Sequence, residues 1–200
     1  KGLKDQAVHA AKELLTVQDA LDVLNSQIIP ALDVVGKGFE KGTMFLPQLL
    51  MSAEAAKGAF EVIKEKMDAS GQKQEKKGTI ILATVKGDIH DIGKNIVKVL
   101  LENYSYDVLD LGKDVPPETI VETAVEKHIQ LVGLSALMTT TVPSMEETIV
   151  QLRKAAPWAK VMVGGAVLTQ EYADTMGADQ YCRDAMASVN YAEQVFGLTK

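Results

Sequence analysis

The sequence predicts an α/β protein in which an all-helical region precedes a doubly wound sheet of five parallel strands. Two observations carry this prediction. Residues 1–68 show apolar side chains at helical spacing and lack the β-branched runs of strands. Residues 79–200 instead alternate short β-rich segments with amphipathic helices, in units of about 25 residues. Such βα repeats fold as a parallel sheet with helices on its faces.

The composition is that of a soluble globular chain, with 46% apolar residues, 24% charged residues and a net charge of −6. The acidic balance argues against a nucleic-acid partner, which would require a basic face. No window reaches the roughly 18 apolar residues of a membrane span. The single cysteine, Cys182, excludes an internal disulfide and fits a reducing compartment. We therefore expect a cytoplasmic protein with neither a nucleic acid nor a membrane as partner.

Helical periodicity divides residues 1–68 into four helices. Apolar residues recur at helical spacing in three successive stretches, and Gly36, Gly38 and Gly42 mark the end of the third. The segment FLPQLLMSAEAAKGAFEVIKEKM predicts a long fourth helix with Pro47 in its first turn, where the missing N–H is tolerated. Four helices with tight connections predict an antiparallel bundle.

The pattern changes after a polar, lysine-rich stretch, ASGQKQEKKG at residues 69–78, which predicts an exposed linker. The run TIILATV that follows is typical of a strand buried on both faces of a parallel sheet. The division is therefore a helical domain at residues 1–68, a linker at 69–78 and an α/β domain at 79–200. Four later strands are expected, in YDVLDLG, QLVGLSAL and AKVMVGGA and weakly near Gln180. Helices are expected in IVKVLLENY, PETIVETAVEKH, SMEETIVQLRKAA, Gln170 to Thr175 and AMASVNYAEQVF.

Three of the predicted strand ends carry unusual residues. They are the glycine-bounded loop GDIHDIG, the hydroxyl-rich segment SALMTTT and the pair Gly164-Gly165. Each alone fits ordinary turn or helix-cap chemistry. Doubly wound sheets bind ligands beyond the carboxyl ends of their strands, where the strand order reverses. Three such features at one edge of a sheet favour a bound ligand.

His90 is the candidate metal ligand of the first of these loops. A lone loop histidine is more often structural, but Asp88 lies two residues before it. A carboxylate there accepts a hydrogen bond from one imidazole nitrogen and leaves the other free to bind a metal. His9 and His128 fall on predicted helices, which argues against a zinc site made of protein ligands alone. A metal held by a chelating cofactor needs only one protein ligand, which fits cobalt in a corrin ring.

The same loops can be compared with other kinds of site, namely nucleotide-binding loops, a hydrolase triad and a slot for a ligand. The loop GDIHDIG has neither the spacing of a dinucleotide-binding fingerprint nor that of a phosphate-binding loop. Ser135, His90 and Asp88 could form a hydrolase triad, but Ser135 lacks the glycine-flanked elbow that exposes a nucleophile. The hydroxyls of SALMTTT are better suited to line a slot for the polar tail of a ligand.

Taken in order, Asp88-x-His90-x-x-Gly93, Ser135-x-Leu137 and Gly164-Gly165 resemble the signature of cobalamin-binding domains. These domains occur in methionine synthase, in corrinoid methyl-carrier proteins and in certain mutases, and the resemblance covers about residues 78–197. It implies a flavodoxin-like, Rossmann-like fold. It also implies that cobalamin, as methylcobalamin, is the cofactor, and that His90 replaces the nucleotide tail as the lower axial ligand of cobalt.

The resemblance implies roles for further residues. Asp88 becomes the hydrogen-bond partner of His90, and Thr141 the outer member of a His-Asp-hydroxyl relay, at a position where methionine synthases commonly carry serine. Ser135 and Thr139 match positions that contact the buried dimethylbenzimidazole, and Asp91 also fits a helix start. The predicted cofactor contacts of this domain are Gly87, Asp88, His90, Asp91, Ile92, Gly93, Ser135, Leu137, Thr139, Gly164, Gly165 and Ala166.

The segment FEKGTMFLPQL, residues 39–49, resembles the capping bundle of methionine synthase and of methyl-carrier corrinoid proteins. This implies that Phe39, Leu46 and Leu49 lie over the upper face of the corrin and shield the cobalt from water and oxidants. Such a cap must move for a substrate to reach the cobalt. The alternative is that the three side chains belong to the core of the bundle.

The implied function is that of a methyl carrier that cycles between cobalt(I) and methyl-cobalt(III). We expect its parent to be a cobalamin-dependent methionine synthase, which moves a methyl group from methyltetrahydrofolate to homocysteine. Its partners would be methyl-donor and methyl-acceptor methyltransferase domains or subunits and a reductive reactivation partner. The absence of an initial methionine favours a piece of a larger enzyme. The isolated chain is expected to bind cofactor but not to complete turnover.

Three other classes of cobalamin protein are alternatives to a methionine synthase. A free-standing corrinoid protein for methanol, methylamine or aryl-ether demethylation would carry the same bundle and motif, and it stays open as the alternative. An adenosylcobalamin-dependent mutase subunit is disfavoured, because its substrate barrel covers the upper corrin face and leaves no use for the bundle. A cobalamin-sensing regulator would need a DNA-binding segment, which this acidic chain does not show.

Overall fold

The computed structural model describes residues 3–70 and 76–197, and the chain divides into two units between residues 75 and 76. The described part of the first unit is helical, and the second unit is a parallel sheet with flanking helices. The predicted fold class, a helical region followed by a five-stranded parallel sheet, is therefore confirmed. Over the described ranges, no helix combines the length and apolar character needed to span a bilayer.

The described residues of the first unit form four α-helices, two of which are joined without a break. A π-helical turn, Leu24–Ile28, connects the second helix directly to the third, so that residues 20–40 form one interrupted helix. Pro30 lies in the first turn of the third helix and has no N–H, which accounts for the changed hydrogen-bond pattern just before it. The helices are α1 (Leu3–Leu14), α2 (Ala20–Val23), α3 (Ile29–Glu40) and α4 (Leu46–Ser70).

The three glycines expected to end α3 differ in conformation. Gly36 and Gly38 lie inside the helix, whereas Gly42 has φ = 71°, the left-handed conformation in which glycine ends helices without strain. The predicted helix end is thus right at Gly42 and wrong at Gly36 and Gly38. Because α3 runs through two glycines, its packing outweighs their low helix propensity.

Helix α4 is the longest of the unit, and α1, α2 and α3 all pack against it. Pro47 lies in its first turn, as the sequence predicts. A buried apolar cluster made by α2, the π-helical turn and α4 consists of Ala20, Val23, Leu24, Ile63 and Met67. Helix α4 also extends two residues into the predicted linker at 69–78, of which residues 71–75 lie outside the described residues.

The second unit is a five-stranded sheet with the order β2-β1-β3-β4-β5, in which every neighbouring pair is parallel. Strands are added on one side of β1 and then on the other, so the strand order reverses between β1 and β3, where doubly wound sheets bind ligands. The strands are β1 (Thr79–Val85), β2 (Asp107–Val115), β3 (Leu131–Ser135), β4 (Lys160–Gly164) and β5 (Gln180–Tyr181). The helices are α5 (Ile92–Asn103), α6 (Pro117–Glu126), α7 (Val142–Ala155), α8 (Gln170–Thr175) and α9 (Ala185–Val195).

The apolar runs of the central strands explain why the sheet is covered on both faces. Six of the seven residues of β1 are buried, and so are the first four residues of β3. Helix α5 packs with α9, and α6 packs with α7. Burial on both faces requires apolar side chains at consecutive positions, which is why these strands appear as unbroken apolar runs in the sequence.

Strand β2 is bulged where it passes the end of β1. Leu82 pairs with Asp110 but its neighbour Ala83 pairs with Gly112, so that one residue of β2 is extra. Gly112 has φ = 92°, and Asp114, two residues later, has φ = 54°. The bulge turns the end of β2 towards the loop that follows β1.

Candidate functional site

The carboxyl ends of β1 and β3 bring two of the predicted loops together. Asp88, in the loop after β1, is fully buried and accepts hydrogen bonds from backbone N–H groups of the loop after β3. The donors are Leu137 N, at 2.6 Å, and Met138 N, at 3.3 Å. Leu137 and Met138 follow Asp88 by 49 and 50 positions in the sequence, yet both donate to its carboxylate.

The carboxylate of Asp88 is surrounded by donors. Its Oδ1 accepts from the backbone N of His90 at 3.0 Å and from His90 Nδ1 at 2.8 Å. Its Oδ2 accepts from Thr141 Oγ1 at 2.9 Å, in addition to the two backbone donors. Burial by itself would raise the pKa of Asp88, but these hydrogen bonds outweigh it and hold the pKa well below its usual range. Asp88 is therefore ionised and can only accept hydrogen bonds.

The ionised Asp88 determines which ring nitrogen of His90 is protonated. Because a carboxylate can only accept, His90 Nδ1 must donate to it, and the neutral imidazole then carries its lone pair on Nε2. The side chain of His90 is 45% exposed. Nε2 is thus available as a ligand while a carboxylate holds Nδ1, the hydrogen-bond arrangement that is usual for a metal-binding histidine.

Thr141 is the third member of the chain of hydrogen bonds. Its buried hydroxyl lies 2.9 Å from Asp88 Oδ2 and 2.8 Å from the carbonyl oxygen of Met138, so one proton is shared between two acceptors. Its Cγ2 would lie 3.5 Å from a Cβ placed on Gly87, so the methyl group packs against that glycine. The hydrogen bonds run from His90 through Asp88 to Thr141, the order that the resemblance implies.

Asp114, at the bulged end of β2, holds the same loop from the other side and is absent from the predicted site. Its Oδ1 accepts from Gly87 N at 2.7 Å, and its own N–H donates to the carbonyl oxygen of Asp88 at 2.9 Å. The signal in the sequence is an aspartate just after the predicted strand YDVLDLG, at the same edge of the sheet. We missed it because the bulge that turns it inwards has no local sequence mark.

The pair Gly164-Gly165 is required by the packing of strand ends. A Cβ on Gly165, which has φ = 146°, would lie 1.7 Å from the carbonyl oxygen of Ala136, and one on Gly164 would lie 3.2 Å from that of Cys182. Ala136 N also donates to Gly164 O at 3.2 Å. The two glycines thus let β4 approach its neighbours, while Ala166 beside them is exposed.

The start of α5 offers an open surface beside His90. Apart from its chain neighbours and the backbone of α5 itself, no described residue places a heavy atom within 4 Å of a Cβ on Gly93. Ile92 and Leu137, both predicted contacts, are exposed large apolar side chains, and so is Ile89, which the prediction omitted. Exposed apolar side chains clustered around a polar centre mark a ligand or partner site. Asp91 directly precedes α5, and its carbonyl accepts from Asn95 N at 2.8 Å, while its side chain makes no cap hydrogen bond.

Thr84 and Ser135 place hydroxyls at the paired ends of β1 and β3. The two residues are in register, and Ser135 is half-buried. Thr84 Oγ1 is buried and has no hydrogen-bond partner among the described residues. A buried hydroxyl without a partner is costly unless a bound molecule satisfies it. Thr139, another predicted contact, is exposed and begins the 3₁₀ turn Thr139–Thr141.

The predicted capping residues belong to the first unit. Leu46 opens α4 and is 42% exposed, Phe39 is half-buried and Leu49 is buried. Phe45, next to Leu46, is also exposed. The contact of these side chains with the upper corrin face stays a prediction.

Comparison with known families shows which cofactor the chain binds. Two family models described as "B12 binding domain" match, one over residues 78–196 and the other over residues 1–64. The chain belongs to the B12-binding family. It therefore binds cobalamin, with cobalt as the metal. The residues of the site fit this cofactor, since one oriented imidazole, an open apolar surface and an unsatisfied buried hydroxyl lie at one edge of the sheet.

Relatives of this B12-binding chain match nearly its whole length. It is 38% identical to dimethylamine corrinoid protein 1 of Methanosarcina acetivorans, over 96% of this chain and 91% of the relative. It is 42% identical to trimethylamine corrinoid protein 1 of Methanosarcina mazei, over 88% and 82% of the two chains. Among solved structures, the methanol:cobalamin methyltransferase complex MtaBC from Methanosarcina barkeri aligns with a TM-score of 0.83 and 29% identity, over 98% of this chain and 76% of that one.

The expectation of a methionine synthase parent, and of a role in methionine biosynthesis, is wrong. The relatives are named as corrinoid proteins of dimethylamine and trimethylamine, and they match both units of this B12-binding protein. The error has a physical reason. The Asp-x-His-x-x-Gly motif and the helical bundle are expected to contact the cofactor, which is common to both classes, and so they carry no information about the methyl donor.

Proposed function

We propose that this B12-binding protein is the free-standing methyl carrier of a corrinoid-dependent methyltransferase system for methylamine- or methanol-like substrates. The names of its near-full-length relatives support this substrate class. The observation that carries the cofactor chemistry is the buried, ionised Asp88 bonded to His90 Nδ1. The protein's partners would be a methyltransferase that supplies the methyl group, a second that removes it, and a reductive reactivation partner.

Bound cobalamin supplies a cobalt centre that accepts a methyl group and passes it on. In the proposal, His90 would hold the lower face of the cofactor through Nε2. Asp88 accepts from the backbone N–H of His90 and from His90 Nδ1, and these two hydrogen bonds fix the loop and the ring. Hydrogen bonding of Nδ1 to a carboxylate also raises the basicity of Nε2 and makes it a stronger metal ligand.

The same three residues can hold a proton when Nε2 is not coordinated. A proton placed on Nε2 would be balanced by the carboxylate of Asp88, which lies 2.8 Å from Nδ1. Thr141, together with the backbone donors of the loop after β3, keeps the carboxylate ionised during this change. The chain His90–Asp88–Thr141 would thus hold one proton at His90 Nε2 when that nitrogen binds no metal.

The axial-ligand assignment is tested by electron paramagnetic resonance of the cobalamin-loaded protein with cobalt reduced to cobalt(II). The wild type should show splitting from one nitrogen on the axial coordinate, and His90→Ala should lose it. His9→Ala serves as the matched control, because His9 is an exposed histidine of the first unit that lies beside Glu13. Splitting that persists in His90→Ala would overturn the assignment.

The substrate class is tested by following the absorbance of the bound cofactor during methyl transfer. The loaded protein is mixed with methyltransferases specific for monomethylamine, dimethylamine, trimethylamine, methanol or an aryl methyl ether, each with its substrate. We expect methylation with a methylamine or methanol enzyme. Methylation with the aryl-ether enzyme alone would contradict the proposal.

A further inference from the structure

We propose that the buried ion pair between Lys94 and Asp110 positions the His90 loop, defined as residues 86–91. The pair makes no contact with the imidazole and would act through the backbone on either side of it. This inference rests on the proposed role of His90 as the cobalt ligand, and it adds a positioning pair that the sequence motif does not identify.

Lys94 occupies an unfavourable position for a cation. It lies in the first turn of α5 and is only 4% exposed. Burial removes the ammonium from water, and the positive end of the helix dipole repels it. Two contacts offset these costs, because Lys94 Nζ lies 2.5 Å from Asp110 Oδ1 and 2.9 Å from Asn95 Oδ1. A charge kept there despite both costs indicates a specific structural task.

Asp110 links this helix start to the bulge of β2. Its Oδ1 also accepts from Gly112 N at 2.9 Å, across the bulge. Burial would raise the pKa of Asp110, but the hydrogen bonds from Lys94 and Gly112 and the charge of Lys94 outweigh it and lower the pKa. The carboxylate is therefore ionised and binds the bulge and the helix at the same time.

The bulge in turn holds the other end of the His90 loop. Asp114, two residues after Gly112, accepts from Gly87 N at 2.7 Å and donates its N–H to Asp88 O at 2.9 Å. The His90 loop is thus attached to β2 at its beginning through Asp114 and at the start of α5 through Lys94. His90 lies between the two attachments, so a shift of either one displaces it.

A purely stabilising role for the pair makes a different prediction from a positioning role. In that case, removal of the pair would lower the stability of the whole unit without a local effect on the loop. Lys98 provides the matched control, because its Nζ lies 3.3 Å from the other oxygen of Asp110, one helical turn further along α5, and its side chain is 33% exposed. Lys98 shares the carboxylate but is not attached to the start of the helix.

The first test is hydrogen exchange of the full chain without cofactor. In Lys94→Met and in Asp110→Asn, the amides of His90 and Asp114 should exchange faster by about tenfold or more, relative to amides of the central strands. Lys98→Met should resemble the wild type. Exchange that is unchanged at His90 and Asp114 in both variants, or raised equally by Lys98→Met, would overturn the inference.

The second test uses the cobalamin-loaded protein and the cobalt(II) nitrogen splitting. Lys94→Met should lower the fraction of histidine-bound cofactor, and Lys98→Met should leave it unchanged. The two tests fail separately. If the wild type shows no nitrogen splitting, the proposed role of His90 is wrong. The hydrogen-exchange data alone decide whether the pair Lys94–Asp110 holds the His90 loop. A full histidine-bound fraction in Lys94→Met would overturn the link to cobalt.

Discussion

At the residue scale, Asp88 shows how a charged group is kept in a protein interior. Burial of a carboxylate is unfavourable unless donors replace its hydration. Four of the five donors to Asp88 come from the backbone or from His90, and Thr141 provides the fifth. Because backbone donors depend on loop geometry and not on residue type, most of this environment has no signature in the sequence.

Two glycines of the predicted site, Gly93 and Gly165, should respond in opposite ways to alanine. Gly93→Ala adds a methyl group in open space on a helix, so the free energy of unfolding should stay the same or rise by up to about 1 kcal/mol. Cobalamin affinity should nevertheless fall, because the cofactor is proposed to lie on this surface. Gly165→Ala should destabilise by about 3 kcal/mol or more, since its Cβ would overlap the carbonyl oxygen of Ala136.

Urea denaturation and cobalamin titration measure these two effects. The pair is its own control, because the same chemical change is made at an open and at a closed position. Unchanged cobalamin affinity in Gly93→Ala would remove Gly93 from the proposed contact surface.

At the element scale, the entry to β5 is held by Asp179, which the sequence reading did not single out. Asp179 Oδ2 accepts from Arg153 Nη2 at 2.6 Å and from Val161 N at 2.8 Å, and Oδ1 lies 3.0 Å from Lys160 Nζ. Arg153, at the end of α7, also donates to the carbonyl oxygens of Ala159 and Gly177. One carboxylate thus joins α7, β4 and the segment before β5.

The contribution of Asp179 to stability should depend on pH. Burial would raise its pKa, but the hydrogen bonds from Val161, Arg153 and Lys160 outweigh it and lower the pKa. A lowered pKa stabilises the folded state fully above the unfolded value of about 4, and this stabilisation is lost as the pH falls below it. Asp179→Asn should therefore lower the free energy of unfolding by about 1–3 kcal/mol at pH 7.

The difference between Asp179→Asn and the wild type should shrink as the pH falls below about 4. Urea denaturation at several pH values measures it. Asp174→Asn is the control, because Asp174 is exposed and its carboxylate accepts only from Gln170 among the hydrogen bonds described. If the difference in the free energy of unfolding is independent of pH, the shape of the Asp179 side chain, and not its charge, accounts for the lost stability.

At the scale of the whole molecule, each unit matches a family model described as a B12 binding domain. The cap prediction for the first unit can be tested without knowing how the units are arranged. Leu46→Ala should accelerate photolysis of bound methylcobalamin if this partly exposed side chain shields the cobalt. The nitrogen splitting from His90 should remain.

Val17→Ala is the matched control for this photolysis measurement. Val17 is an exposed apolar residue of the same unit, between α1 and α2, and its removal should leave the rate unchanged. Equal rates in Leu46→Ala and the wild type would leave Leu46 with a packing role alone.

Much of the fold and part of the site can be predicted because the relevant signals are local. Unbroken apolar runs such as TIILATV predict buried parallel strands, and the order of strands and helices predicts which edge binds ligands. The spacing of Asp88 and His90 by two residues is enough to predict their hydrogen bond, which the structure shows at 2.8 Å. The helix ends at Gly36 and Gly38 were predicted wrongly, because tertiary packing overrides local propensity there.

The α/β class and the hydrogen-bonded pair Asp88–His90 could be predicted from local patterns, because both depend on residues close together in the chain, and the same patterns indicate the edge of the sheet at which a ligand is expected. The three-dimensional contacts were needed to show that the loop after β3 donates to the buried Asp88, that Ala136 requires glycine at position 165, that Asp114 bonds to the loop after β1, and that Lys94 pairs with Asp110. These contacts join residues far apart in sequence. Their geometry depends on the bulge of β2 and on the register of the strands, which no local pattern encodes.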